Sequence, residues 1–172
     1  MSLYVKTRSV HFWLSLIVAV PFLIVLLSGV LLQVRKEIPW IQPPTQKGVS
    51  KVPQISMDSI LQVVKKVPQA KVEGWGQISR LDVRPSKGLV KVQAKSGIEI
   101  QVDLETAKVL QVAERNSDFI EAIHEGTWFF ENANYWVFLP SSILMIGLLF
   151  SGFYLIFKGV VVRLKKRKVK RH

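Results

Sequence analysis

The sequence predicts a membrane protein in which two transmembrane helices flank a small extracytoplasmic α+β domain. The first observation is a pair of charge-free apolar runs, 21 residues at 12–32 and 23 residues at 135–157. Each run exceeds the roughly 20 residues that a helix needs to cross a bilayer. The second is that all 12 Asp and Glu lie between the runs. The third is a period-two apolar pattern in the middle segment, which is typical of strands.

The basic residues indicate the topology of the two helices. The net charge of +12 comes mainly from the flanks, where Lys6 and Arg8 precede the first run and eight Lys and Arg follow the second. Cytoplasmic flanks are enriched in Lys and Arg. Both termini are therefore expected in the cytoplasm, with the lipid bilayer as partner. A nucleic-acid partner is not expected, because the middle segment is nearly balanced in charge.

The first run is interpreted as a retained helix and not as a signal peptide. It is longer than the usual apolar core of about 7–15 residues, and no small-x-small cleavage site follows it. The chain has no cysteine. This excludes disulfides, thiolate metal sites and iron–sulfur clusters.

These signals divide the chain into consecutive segments: a cytoplasmic N-terminus (1–11), transmembrane helix 1 (12–34), a linker (35–54), the α+β domain (55–115), a segment before the second helix (116–134), transmembrane helix 2 (135–157) and a basic cytoplasmic tail (158–172).

A short helix is expected to open the α+β domain. Ser56 is a good N-cap, and Pro68 ends the helix. Apolar residues at i, i+3, i+4 and i+7 form one stripe, made of Met57, Ile60, Leu61 and Val64.

Alternation of apolar and polar residues from Leu81 to Val112 predicts an antiparallel sheet beside this helix. The apolar face must be covered, and the helix can cover it. The other face, which carries Lys91, is expected to be solvated. On this interpretation Val92→Asp costs several kcal/mol, whereas Lys91→Asp is tolerated within about 0.5 kcal/mol.

Residues 100–110 resemble the end of a PepSY domain. That family typically has an apolar strand, an Asp, a Thr-Gly-like turn and a final apolar pair. Here Asp103 and Thr106 match, and Ala107 stands where Gly is usual. The resemblance implies a helix packed on a small sheet, and the alanine implies a less tight turn.

The flanks resemble the PepSY-associated transmembrane helix family. Its first helix typically begins with a His and Trp pair and ends near a Thr-Gly or Ser-Gly, as do His11-Phe12-Trp13 and Ser28-Gly29 here. Its other signature, Leu-His-x-Gly-x-Phe before a second such pair, is similar to residues 123–130 followed by Ser151-Gly152.

This resemblance implies the bacterial inner (cytoplasmic) membrane. Larger relatives with four or more spans include ferric-siderophore reductases of that membrane, which hold haem by pairs of histidines. A two-span chain resembles one half of such a protein.

His11 and His124 are the candidate cofactor ligands, because imidazole is a usual axial ligand of haem b. A bis-His site needs two nitrogens roughly 4 Å apart across the iron, whereas about one membrane thickness, ~30 Å, is expected between these two residues. Each would need a partner histidine from a homodimer or a homologous membrane protein. The other interpretation, that both are plain interfacial residues, stays open.

A metal site is not predicted. Glu121, His124 and Glu125 share one helix face by spacing, but three mixed ligands without a second His are more typical of a solvated face. The zinc-protease pattern His-Glu-x-x-His lacks its second His, because Trp128 stands there. No catalytic residue is assigned, and whether the chain is an enzyme is left open.

Two functions remain. The first is an accessory haem-binding component for electron transfer or metal (iron) reduction. The alternative is a non-enzymatic envelope module that binds or regulates a protein, for example a peptidase, through its extracytoplasmic domain.

Overall fold

The computed structural model describes residues 3–169, with side chains through residue 163. The end of the basic tail, with His172, lies outside the described residues. The chain forms two compact units. The helical unit comprises residues 1–30 and 121–172, and the sheet unit comprises Leu31–Ile120.

The two long helices of the chain confirm the two predicted membrane spans. Helix α1 covers Leu3–Gln33, and helix α4 covers Leu139–Val169 after one π-helical segment, Asn134–Phe138. Within Leu3–Gln33 and Asn134–Arg163, 18-residue segments reach mean hydropathies of 2.8 and 2.0. Most of their large apolar side chains are exposed. Such a surface is stable in hydrocarbon, where each helix satisfies its own backbone hydrogen bonds.

The sheet unit is an antiparallel four-stranded sheet with one α-helix, as predicted. The strands are β1 (Ile78–Arg84), β2 (Leu89–Ala94), β3 (Ile98–Asp103) and β4 (Val109–Glu114), in that spatial order. Helix α2 covers Met57–Lys65, and short 3-10 turns lie at Pro68–Ala70, Trp75–Gln77 and Pro85–Lys87. Helix α3 (Ser117–Glu125) follows β4.

Helix α2 covers the apolar face of the sheet. Ser56 caps it, since its Oγ accepts a hydrogen bond from the backbone N–H of Ser59 at 3.1 Å. Three members of the predicted stripe are buried, whereas Met57, in the first turn, is 55% exposed. The shared core is formed by Ile60, Leu61, Val64, Val67, Ala70, Val72, Val90, Val92, Ala94, Ile100, Val102 and Leu104.

The opposite face of the sheet is also buried, which contradicts the expectation of a solvated face. Lys91 and Gln101 are 0% exposed, and Glu99 is 1% exposed. Lys91 Nζ lies 2.8 Å from Glu99 Oε1, and an Arg115 nitrogen lies 3.0 Å from Glu99 Oε2. The predicted tolerance of Lys91→Asp is therefore wrong, because the side chain belongs to a buried ion cluster.

The cause of this burial is the segment before the domain. Residues 41–50, called the strap below, run along the polar face. The N–H of Gln46 donates to Gln101 Oε1 at 2.8 Å, and Gln101 Nε2 donates to the carbonyl of Pro44 at 2.9 Å. Gly48 packs so closely on the backbone of Gly88 that a Cβ would overlap the Gly88 carbonyl oxygen. The strap thus behaves as part of the sheet unit.

One further ion pair extends this cluster. Arg115 Nε donates to Asp118 Oδ1 at 2.6 Å. Burial acts to lower the pKa of Arg115, but its hydrogen bonds and charge interactions with Asp118 and Glu99 outweigh burial and raise it. The guanidinium therefore stays charged beneath the surface.

Asp103 organises the turn between β3 and β4. Its Oδ1 accepts hydrogen bonds from the backbone of Glu105 and Thr106 at 2.9 and 2.7 Å, and its Oδ2 accepts from Val49 of the strap at 2.7 Å. Ala107 adopts a φ of 57°, the left-handed conformation that glycine takes at no steric cost. The turn is therefore as tight as a glycine turn, contrary to the expectation of a looser one.

Candidate functional site

The helical unit pairs each of the two candidate histidines with a serine. His11 lies in the N-terminal third of α1, and its Nδ1 is 2.7 Å from the Oγ of Ser151 on α4. The two residues are 140 positions apart in the chain. This His11–Ser151 pair is half-buried between the two long helices.

The second pair joins α3 to the far end of α1. His124 Nδ1 lies 3.0 Å from Ser28 Oγ and 3.1 Å from the carbonyl oxygen of Val25. Helix α3 ends at Glu125, the residue after His124, and Gly126 follows it with a φ of 83°. A Cβ on Gly126 would overlap the ring of Phe138, so glycine is required for the chain to turn here.

A glycine follows the serine in both pairs, and the imidazole lies against it. A Cβ placed on Gly29 would be 3.3 Å from His124 Cε1, and one placed on Gly152 would be 3.5 Å from His11 Cε1. The same arrangement of His, Ser and Gly therefore occurs twice. In one pair α1 supplies the histidine, and in the other α1 supplies the serine and glycine.

The two pairs lie at different levels of the bundle. Ser28 follows His11 by 17 residues in one continuous helix, which corresponds to about 25 Å along the axis. His124, in contact with Ser28, is therefore too far from His11 for the two rings to bind one ion. The expected separation of the two histidines agrees with this geometry.

The described residues do not form a metal site whose ligands are all protein side chains. Among them, no three His, Cys, Asp or Glu side chains come together as a metal-ligand group. Glu121 and Glu125 share α3 with His124, as their spacing predicted. The imidazole itself is held on its Nδ1 side by Ser28.

A small apolar cavity lies between α1 and α4, at a level between the two pairs. Its volume is about 250 Å³, and it is lined by Val18, Pro21, Phe22, Val25, Phe138, Ser141, Ser142, Met145 and Ile146. Sites for organic ligands are usually larger, about 300–1,000 Å³. This cavity is therefore small for an organic ligand.

The serine partners of the two histidines are the residues of this candidate site that sequence reasoning did not assign. In the sequence, Ser28-Gly29 and Ser151-Gly152 appear only as motif pairs, without a link to the histidines. The sequence does contain one signal for this pairing, because two Ser-Gly pairs lie in the spans and two histidines lie outside the tail. Pattern alone could not show which serine meets which histidine.

Comparison with known families finds one match that covers nearly the whole chain. The family described as PepSY-associated TM region matches residues 8–172. The chain belongs to this family. The match includes both histidines and both Ser-Gly pairs of this PepSY-associated TM protein. No curated protein and no solved structure gives a significant match.

Proposed function

We propose that this PepSY-associated TM protein is an accessory haem-binding component for electron transfer or metal (iron) reduction, and that it works as a homodimer or with a homologous membrane partner. The observation that carries the proposal is that His11 and His124 each have Nδ1 engaged by the protein, while Nε2 has no hydrogen-bond partner among the described residues. An imidazole held in this way would be suited to ligate haem iron.

Each histidine supplies one half of a bis-His site. Its own chain offers no second imidazole at that level within the described residues. A two-fold axis along the membrane normal keeps every residue at its own depth, so an interface that runs through these residues would pair His11 with the partner's His11 and His124 with the partner's His124. Two haem sites at two levels then follow from one symmetric interface.

Haem b bound at these sites would supply one-electron redox chemistry. The residues of the chain have separate tasks. His11 and His124 provide the ligand nitrogens, Ser151 and Ser28 hold the rings, and the apolar surfaces of α1 and α4 exclude water. A redox centre at each end of the span is suited to carry electrons across the bilayer.

The orientation that fits this function has both termini in the cytoplasm and the sheet unit outside, in a bacterial inner membrane. The distribution of charge supports it, because the acidic residues lie between the spans and the flanks are basic. Reporter fusions at residue 100 and after the C-terminus test it, since they must report opposite sides of the membrane.

The alternative is an envelope binding or regulatory module that acts through the sheet unit. The strap and α2 cover the two faces of the sheet, which leaves the outer edges of β1 and β4 for a partner strand. An edge can add a strand of another protein. No residue contact singles out a partner, so the haem function is the better supported one.

The deciding experiment is a haem spectrum of the full chain. It is purified in mild detergent, with its partners retained, from cells supplied with ample haem. Wild type is expected to show a b-type band, and His11→Ala and His124→Ala are each expected to lose a different haem. His172→Ala serves as the matched control and keeps both. A wild type without haem overturns the proposal and favours the binding module.

A further inference from the structure

We propose that Ser28 and Ser151 are positioning residues, which hold the ring proton of His124 and His11 on Nδ1 and so keep the lone pair on Nε2. Neutral imidazole carries one proton, and the hydrogen bond made by one nitrogen decides the state of the other. In water the proton favours Nε2, so the protein has to reverse that preference. The identity of the group that Nε2 binds rests on the proposed function. The assignment of the tautomer does not rest on it.

For His124 the carbonyl oxygen of Val25 decides the direction of the hydrogen bond. A carbonyl oxygen only accepts, and it lies 3.1 Å from Nδ1. The Ser28 hydroxyl donates to the carbonyl of Ile24 at 2.6 Å, so its oxygen is left to accept from Nδ1 at 3.0 Å. Two acceptors therefore converge on one nitrogen, which must be the donor.

For His11 the serine alone decides. The Ser151 hydroxyl donates to the carbonyl of Leu148 at 3.0 Å. A hydroxyl has one hydrogen; with that hydrogen on the Leu148 carbonyl, the Ser151 oxygen accepts from His11 Nδ1, 2.7 Å away. His11 has no second acceptor comparable to Val25 among the described residues. Its tautomer therefore depends on Ser151 more than that of His124 depends on Ser28.

The glycine beside each serine makes room for the ring. At Gly29 the 3.3 Å from a Cβ to His124 Cε1 is tight, whereas at Gly152 the corresponding 3.5 Å is an ordinary contact. Gly29→Ala should therefore displace its imidazole, and Gly152→Ala should not. The same arrangement thus orients both rings, at two levels of the helical unit.

The test measures the tautomer directly, in full-length protein without haem. Histidine is labelled with ¹⁵N, and long-range ¹H–¹⁵N spectra are recorded in alkaline buffer, where imidazole is neutral. His11 and His124 are both expected to show a protonated Nδ1 and an unprotonated Nε2. Loss of one hydrogen bond in Ser151→Ala should shift the tautomer ratio of His11 about fivefold toward Nε2–H.

Two variants separate positioning from helix packing. Ser151→Thr keeps the hydroxyl and should restore the wild-type spectrum. Ser142→Ala is the matched control, because Ser142 also donates to a carbonyl one turn earlier, that of Phe138 at 2.9 Å, without an imidazole beside it. It should leave both histidines unchanged.

A protonated Nε2 on His11 in wild type, or a His11 spectrum that is the same in Ser151→Ala, overturns the inference. Neither result depends on cofactor content. If the tautomers are as stated and wild type never contains haem, the positioning role stands and the haem function fails.

Discussion

Lys91 Nζ lies 2.8 Å from Glu99 Oε1 between the adjacent strands β2 and β3, and both side chains are fully withdrawn from solvent. Arg115 reaches the second carboxylate oxygen of Glu99 at 3.0 Å. Such a cluster adds little net stability against apolar residues of equal volume, but removal of one member leaves a buried charge unpaired. The polar face of the sheet therefore tolerates substitution poorly.

Lys91→Asp is expected to destabilise the sheet unit by at least about 3–5 kcal/mol, because it places a second carboxylate against Glu99. Amide hydrogen exchange of β2 and β3 in the full-length protein measures the loss. Lys95→Asp is the matched control, an exposed lysine after the same strand, and should change stability by less than about 0.5 kcal/mol. Wild-type protection in Lys91→Asp would show that this face is not buried.

Asp103 is expected to make the sheet unit sensitive to acid. Burial acts to raise its pKa, but hydrogen bonds from Thr106, Val49 and Glu105 outweigh burial and lower it from 3.8 to about 2. Because the pKa is lower in the folded than in the unfolded state, the carboxylate stabilises the fold above about pH 4, and this contribution is lost as the pH falls toward 2.

The contribution of Asp103 corresponds to about 2 kcal/mol. Asp103→Asn keeps the size of the side chain but not its charge. The variant should be less stable than wild type at pH 7, and the difference should shrink between pH 4 and pH 2. Thermal unfolding at several pH values checks this. A difference that does not change with pH would contradict the assigned hydrogen bonds.

Ala107→Gly is expected to stabilise the turn after β3. Ala107 has a φ of 57°, which costs a residue with a Cβ about 1–2 kcal/mol, while the greater flexibility of glycine in the unfolded chain offsets part of that. A net gain of about 0.5–1 kcal/mol should appear as a higher unfolding temperature. Ala113→Gly, within β4, is the control and should lower it by a similar amount.

Local pattern was sufficient for the spans and for the strands. Length and lack of charge make residues 12–32 and 135–157 long enough and apolar enough for a bilayer, whatever else the chain does. Strict alternation around Val90 and Val92 needs only the geometry of an extended chain. The Ser56 cap likewise depends on residues within one turn. Each of these features is set by interactions that are short-range in sequence.

The polar face and the histidine partners depend on contacts between distant parts of the chain. Lys91 lies in the same apolar–polar alternation whether water or the strap covers it. Gln101 bonds to Gln46 and Pro44 across 55 and 57 positions of the chain. In the same way Ser28 is 96 positions from His124. Burial and hydrogen-bond direction are properties of the packed chain, because they depend on which surface packs against a side chain. Composition and residue spacing do not contain that information.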